Sequence, residues 1–174
     1  MNNLNIRDAR GTDQAATQSV ALAAYEQYAP TMKEAWKFYR EDILSTLADV
    51  HPAEHIVAET EDGVVGTVLL YPAGMSFLAP DGTSVTFPLP EIRLLAVTPR
   101  ARGQGIATAL MQECVRRARQ SGAPAVALHT TDMMQVAMQM YERMGFVRAP
   151  SSDFSVDGGF LIKGYRLDLD NAAK

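Results

Sequence analysis

The sequence predicts a mixed α/β domain, and three observations carry that prediction. Residues 91–130 read as strand, helix and strand in succession, a βαβ unit. Two β-rich runs at 55–60 and 64–71 flank Glu61-Asp62-Gly63, a short hairpin signal. Segments before and after these carry apolar residues at helical spacing. With 174 residues, 47% of them hydrophobic and 21% charged, the chain is expected to be a single domain over 1–174 with its own core.

In chain order, residues 5–9 read as a first strand, and Thr12 or Asp13 as the cap of an Ala-rich helix running to about Tyr28, where Pro30 breaks it. A second helix over 32–50 carries Trp36, Phe38 and Tyr39 and stops before Pro52. The 55–71 hairpin follows. Residues 72–90 hold four prolines and Pro80-Asp81-Gly82 between SFLA and SVTF, which predicts a second, looser hairpin. Residues 91–97 form the next strand, 102–120 a helix ended by Gly122 and Pro124, and 125–130 a parallel neighbour of 91–97. Asp132 starts the last helix with Gln135 as capping-box partner, and Met133, Val136, Ala137, Met140, Tyr141 and Met144 mark one apolar stripe up to Gly145. Phe146 and Val147 open a strand whose antiparallel partner is 160–169, across the PSSDFSVDGG loop.

Composition excludes several function classes. A net charge of −4 argues against a general nucleic-acid binder, which needs a basic face for counterion release. The first residues, MNNLNIRDAR, lack the pattern of a secretory signal, and VVGTVLLY is too short to span a membrane before Pro72, so a cytoplasmic location is expected. Cys114 shares helical register with Ile106, Leu110 and Ala118 and reads as a core thiol. No cluster of His, Cys and carboxylates has ligand spacing, so no metal is expected. His51, His55 and the acidic run Glu59, Glu61 and Asp62 read as surface groups.

Residues 94–109, LLAVTPRARGQGIATA, are chemically the most pointed. An apolar strand runs through a Pro-marked turn into a Gly-interrupted helix start. Glycines leave backbone N–H groups uncovered, and the first turn of a helix presents unpaired N–H groups and the positive end of its dipole, so an anion can be held there. Arg100 and Arg102 add charge. A P-loop would need Lys after the glycines, but Ile106 and Ala107 follow Gly105; a dinucleotide fingerprint would need Gly or Ala where Thr108 stands. A glycine-rich start needed only for tight strand-to-helix packing is the other reading.

Arg102-Gly103-Gln104-Gly105-Ile106-Ala107 resembles the Q/R-x-x-G-x-G/A signature of the GCN5-related N-acetyltransferase (GNAT) superfamily, preceded by Leu95-Ala96-Val97-Thr98-Pro99 as in that family's strand. Tyr141-Glu142-Arg143-Met144-Gly145-Phe146 resembles its Y-E-x-x-G-F segment at the expected separation. The resemblance implies a mostly antiparallel central sheet of about six to seven strands with a central parallel pair, flanked by four main helices. It further implies an enzyme that moves acetyl from acetyl-coenzyme A to a primary amine by direct attack in a ternary complex.

By that resemblance, Arg102, Gly103, Gln104, Gly105, Ile106 and Ala107 hold the pyrophosphate through main-chain N–H groups, with the Thr108 hydroxyl beside them. Leu95, Ala96 and Val97 offer main chain to the pantetheine arm, and an N–H near Ala96 or Val97 polarises the thioester carbonyl. Tyr141 is the general acid for the departing thiolate: a phenol near ~10 and a thiol near ~8.5 are close enough for transfer in a dry site. Met134 stands where many relatives carry an Asn that bonds pantetheine, and a thioether cannot replace those bonds. The base that takes the amine proton is Glu91 or His129, directly or through water, and each also reads structurally, Glu91 as a strand-end charge and His129 as a satisfied histidine.

The acceptor cleft in such folds draws on segments that here offer Tyr25, Tyr28, Trp36, Phe77 and Phe154. A small-molecule amine is the expected acceptor, with a protein N-terminus or lysine as the alternative, and a non-catalytic acyl-coenzyme A sensor as the competing class. The resemblance also implies a homodimer; nucleic-acid and membrane partners are not expected.

Overall fold

A computed structural model describes residues 3–78, 82–156 and 160–169. The strands are β1 (Asn5–Asp8), β2 (Glu54–Thr60), β3 (Gly63–Tyr71), β4 (Met75–Leu78), β5 (Ser84–Phe87), β6 (Glu91–Val97), β7 (Ala125–Thr130), β8 (Val147–Arg148), β9 (Phe154–Val156) and β10 (Phe160–Asp168), and the helices α1 (Gln14–Tyr25), α2 (Ala29–Met32), α3 (Ala35–Ala48), α4 (Ile106–Gln120) and α5 (Gln135–Arg143). The fold is mixed α/β, its central sheet mostly antiparallel with one parallel pair, β6 and β7, as expected. Among the described residues four helices reach nine residues or more, and none is long and apolar enough to cross a membrane.

The chain divides into two compact units, Met1–Leu70 with Leu94–Cys114, and Tyr71–Arg93 with Val115–Lys174. In the first, β1, β2, β3 and the end of β6 are successive neighbours, and β1 and β3 both run antiparallel to β2. Ile56, Val57, Ala58, Val65 and Val68 are buried, with Ile106, Leu110 and Cys114 of α4. Cys114 is thus a core thiol. In the second, the start of β6, then β7, β10 and β8 are successive neighbours, with β9 on β10. The parallel register pairs Glu91 with Ala127 and Ile92 with Leu128. The antiparallel register of β7 with β10 sets His129 opposite Gly164. β4 and β5 form their own two-stranded sheet, the second hairpin the prolines and turn residues suggested; Pro80 and Asp81 of its turn lie outside the described residues.

Several local expectations are corrected. Pro30 does not break a helix: α1 ends at Tyr25, a 3₁₀ turn covers Glu26–Tyr28, and Pro30 sits in the first turn of α2, where its missing N–H has no intrahelical partner to lose. The second helix is Ala35–Ala48, shorter than 32–50. No capping box opens the last helix. Asp132–Met134 is a 3₁₀ turn without a side-chain cap, and α5 starts at Gln135, so spacing drawn through residue 134 does not mark one face. Val136 is 81% exposed and leaves the apolar stripe, in which Tyr141 is buried. His55 is not a surface group, for its Nε2 lies 2.8 Å from the hydroxyl of fully buried Thr67, and burial lowers its pKa.

Asp13 does not cap α1 itself; its carboxylate serves the 3₁₀ turn Gly11–Asp13 ahead of that helix. It accepts from the Arg10 N–H (2.7 Å) and from Arg7 (2.7 Å), whose guanidinium also donates twice to Glu59 of β2 at 2.8 Å. One arginine therefore ties strand β1, strand β2 and the entry to α1. Its hydrogen bonds hold the pKa of both carboxylates below the ordinary range. A depressed carboxylate pKa contributes stability above the unfolded value near ~4, and that stability is lost as pH falls through the folded value. Arg7→Met is expected to lower the urea midpoint at pH 7 and to flatten its decline between neutral pH and pH ~3, read from unfolding curves at both pH values.

Candidate functional site

In the first unit β6 ends on buried Ala96 and Val97. The Thr98 N–H closes onto the Val65 carbonyl (2.9 Å), and a 3₁₀ turn over Pro99–Ala101 leads into Arg102 with extended backbone. Gly103 and Gly105 then take φ values of 75° and 76°, a left-handed conformation that costs other L-residues about 1–2 kcal/mol. A Cβ at either glycine would meet nothing within 4 Å, so backbone conformation, not crowding, demands glycine there. Residues 102–105 are exposed, while Ile106, 3% exposed, anchors the first turn of α4. The Ala109 N–H pairs with the Gly105 carbonyl, so the N–H groups of Ile106, Ala107 and Thr108 precede the first intrahelical bond. This is the geometry of an anion cradle.

Arg102 does not turn its guanidinium onto that cradle; it donates to the Ala24 carbonyl at 3.2 Å, at the C-terminal end of α1. Arg100 is exposed and lines a groove with Ala16, Ser19, Ala23 and Thr98. Leu95 accepts a hydrogen bond from the Tyr25 hydroxyl at 3.0 Å, which occupies one of the two lone pairs of its carbonyl. Tyr25, Tyr28, Trp36 and Tyr39 form one contiguous aromatic group. Leu94, just upstream, has φ of 50° inside a strand, a strained left-handed position without a Gly or Asn to announce it.

In the second unit the structure joins two residues that the sequence offered as separate candidates. Glu91, 1% exposed, places Oε1 2.5 Å from His129 Nδ1, and His129 Nε2 lies 3.0 Å from the Ser152 carbonyl. Both ring nitrogens therefore face acceptors, an arrangement satisfied when the ring carries two N–H groups and a positive charge. Burial works against that charge, but the Glu91 hydrogen bond and carboxylate, with the Ser152 carbonyl, outweigh it and raise the His129 pKa. Phe87 and Phe154 stand at 5.1 and 5.3 Å from the imidazole, in T-shaped and tilted contacts. Glu91 Oε2 is buried and has no partner among the described residues; the same holds for the hydroxyls of Thr130 and Thr131.

Ser152 reaches His129 because of Gly164. A Cβ there would lie 1.8 Å from Ser152 Oγ and 3.1 Å from the Ala149 carbonyl, so the Pro150–Ser152 turn rests directly on bare β10 backbone. Asp153 secures the turn, accepting from the Gly164 N–H (2.8 Å) and from Arg148 (2.8 and 2.9 Å). Neither Gly164 nor Ser152 carries a sequence signal; a lone glycine in a strand hints only at close approach. Arg93 was also missed. Its guanidinium lies 4.5 Å from the Phe77 ring centre and 5.7 Å from that of Tyr71.

Tyr141 lies on the last turns of α5, 8% exposed, with Phe146 and Tyr165 rings 6.1 and 6.4 Å away. The Phe146 N–H returns to the Tyr141 carbonyl at 3.0 Å through Gly145, which ends the helix as expected. Met134, half-buried, sits on the 3₁₀ turn before α5. Among the described residues no cluster of three or more His, Cys, Asp or Glu could hold a metal ion.

The sequence profile of the acetyltransferase (GNAT) family matches residues 21–146, a span that contains every residue of the turn and of both β6 and α5. N-acetyltransferase 8B of Homo sapiens is 35% identical over 100 residues, 58% of this chain and 41% of that protein. N-acetyltransferase 8B of Mus musculus is 32% identical over 125 residues, 72% of this chain and 51% of that protein. The chain thus spans about half the length of these curated relatives or less. The solved structure of a GNAT family acetyltransferase from Brucella melitensis in complex with acetyl-CoA covers 100% of this chain and 93% of its own, with a TM-score of 0.65 at 20% identity.

A raised histidine pKa adds stability that is complete below the unfolded value near ~6.5 and is lost as pH rises through the folded value. His129→Gln should therefore destabilise the protein more at pH 6 than at pH 9, measured by urea unfolding, and NMR titration of the wild-type ring should give a midpoint above ~6.5.

Proposed function

The chain belongs to the acetyltransferase (GNAT) family, and from that premise we propose that it moves an acetyl group from acetyl-coenzyme A to a primary amine by direct attack, with no acyl-enzyme. The observation that carries the reading is the turn opening α4. Two left-handed glycines present the unpaired N–H groups of the helix start without side chains over them. A pyrophosphate suits that donor set, since several fixed N–H groups meet several negative oxygens at little conformational cost. Arg102, Gly103, Gln104, Gly105, Ile106 and Ala107 would hold it, with Thr108 adding a hydroxyl, and the main chain of Leu95, Ala96 and Val97 would take the pantetheine arm, Met134 packing its thioether on it. Bound acetyl-coenzyme A supplies an activated thioester acyl group.

Each chemical role falls to a residue of fitting environment. An alkylammonium has no lone pair, so the amine must lose a proton to react. The geometry supports Glu91 as the group that receives it, because its Oε2 is buried and unpartnered while both nitrogens of His129 are occupied. His129 then acts as a positioning residue that fixes the Glu91 carboxylate through the hydrogen bond from its Nδ1. Ala96 or Val97 would donate an N–H to the carbonyl oxygen as charge builds on it. Tyr141 would protonate the departing thiolate; its burial beside Phe146 and Tyr165 provides the dry setting in which a phenol is a useful acid.

Release of coenzyme A thiol from acetyl-coenzyme A, with a panel of small amines and of peptides, tests the reading, with mass gain of the product as confirmation. Tyr141→Phe and Glu91→Gln should each lower kcat by about 10²–10⁴-fold. Equal inertness of wild type and Tyr141→Phe toward every amine, with acetyl-coenzyme A still bound, would instead establish a non-catalytic sensor. Gly105→Val, which forces a branched side chain into a left-handed position, should weaken acetyl-coenzyme A binding at least about tenfold in calorimetry, the loss of one charge-assisted hydrogen bond.

A further inference from the structure

Around Glu91 one cation is left without a carboxylate partner. Arg148 is paired with Asp153, and Lys163 with Asp132. Glu91 is paired with the His129 ring. Arg93 remains: half-buried, it has no hydrogen bond or ion pair to any described residue and lies over Phe77 and Tyr71. Arg7, Arg148 and Arg166 each hold a carboxylate within the chain, whereas Arg93 holds aromatic faces alone. A guanidinium stacked on a ring by its flat face keeps its in-plane N–H fork open, the geometry that grips a carboxylate with two parallel bonds.

Position turns this into a statement about substrate. Glu91 and Arg93 are two residues apart on β6, hence on the same face of the strand, while Ile92 between them is buried on the other. Along a strand that spacing is about 7 Å between Cα atoms, within reach of one small molecule given the length of an arginine. The unpartnered Glu91 oxygen, buried until a substrate displaces its cover, and the half-buried guanidinium thus face one side together. Resting on the acetyl-transfer reading above, we propose that the acceptor is an α-amino acid, its amine delivered to Glu91 and its carboxylate held by Arg93. The second cation also suits the chemistry: a positive charge near the incoming ammonium eases loss of its proton, and the carboxylate restores neutrality. Phe77, at 5.2 Å from Phe87, extends the aromatic surface beneath the guanidinium, which favours apolar side chains on that amino acid.

The test compares kcat/KM across a panel of α-amino acids and their matching amides. The amide removes only the negative charge, and its amine is the more readily deprotonated of the two, so a preference for the acid cannot come from amine basicity. The acid should lead by about 10–100-fold, through KM, as expected of one charge-assisted pair. Arg93→Gln should collapse that ratio to near unity, and Arg93→Lys should retain part of it. Melting temperature and acetyl-coenzyme A affinity of each variant should match wild type. Equal use of acid and amide by the wild type overturns the proposal, as does an equal loss on both in Arg93→Gln, or a loss of acetyl-coenzyme A affinity, which would give Arg93 to the acyl donor. If carboxylate-free amines such as phenethylamine react while acids hold no advantage, acetyl transfer stands and the amino-acid assignment fails. If no amine reacts, acetyl transfer fails, and calorimetric binding of the acids decides the assignment: binding lost in Arg93→Gln supports it, and no binding by wild type overturns it.

Discussion

The hydrogen bond between Glu91 and His129 is the constraint on which the candidate chemistry depends. A buried carboxylate is costly unless it is paired and hydrogen-bonded. Here one oxygen is matched by an imidazole whose far nitrogen is itself fixed by the Ser152 carbonyl. That chain of contacts requires three separate pieces of structure: the parallel pairing of β6 with β7, the antiparallel pairing of β7 with β10, and a glycine in β10 that lets the Pro150–Ser152 turn lie on the sheet. Losing the first takes the imidazole from the buried carboxylate, and losing either of the others takes the Ser152 carbonyl from the imidazole. The second carboxylate oxygen is buried beside its fellow with no partner among the described residues.

The two kinds of site in this chain use opposite physical strategies. The turn before α4 binds by backbone: its donors are main-chain N–H groups, its side chains are mostly turned outward or absent, and its one nearby guanidinium is engaged with the Ala24 carbonyl. Identity of the side chains matters there only through the conformations they permit. The Glu91 neighbourhood works by side chain, with charge placed among Phe77, Phe87 and Phe154 so that each ionic contact is stronger than it would be in water.

The difference explains what could be read from the residues and what could not. Glycines 103 and 105 carry their meaning locally, since φ is a property of one residue, and the anion cradle was legible for that reason. The hairpins around Asp62 and between β4 and β5 were legible on the same ground, as was the βαβ unit, because hydrophobic period and turn residues act over a few positions. Expectations failed where a tertiary contact competed with a local one. Asp13 looked like a helix cap, but Arg7 offers its carboxylate a charged partner. Val136 fits the apolar stripe by spacing, yet it lies at the stripe's edge, five positions round α5 from buried Tyr141, and is exposed. His55 looked like a surface group and instead bonds Thr67 on the neighbouring strand. Leu94 has the residue type of an ordinary strand position and a left-handed backbone.

Glu91 and His129 show the division most clearly. By itself the sequence determined the mixed fold, the glycine-bearing turn, the family to which the chain belongs and two candidate bases 38 positions apart. Only the tertiary structure decided that these two are one hydrogen-bonded pair, that both ring nitrogens are occupied while one carboxylate oxygen is not, and that Arg93 stands on the same strand face with aromatic rings as its partners. Conformational preference is encoded residue by residue, so it survives in a one-dimensional reading. The state of a buried charge is set by what strand pairing brings to it, and no local pattern carries that.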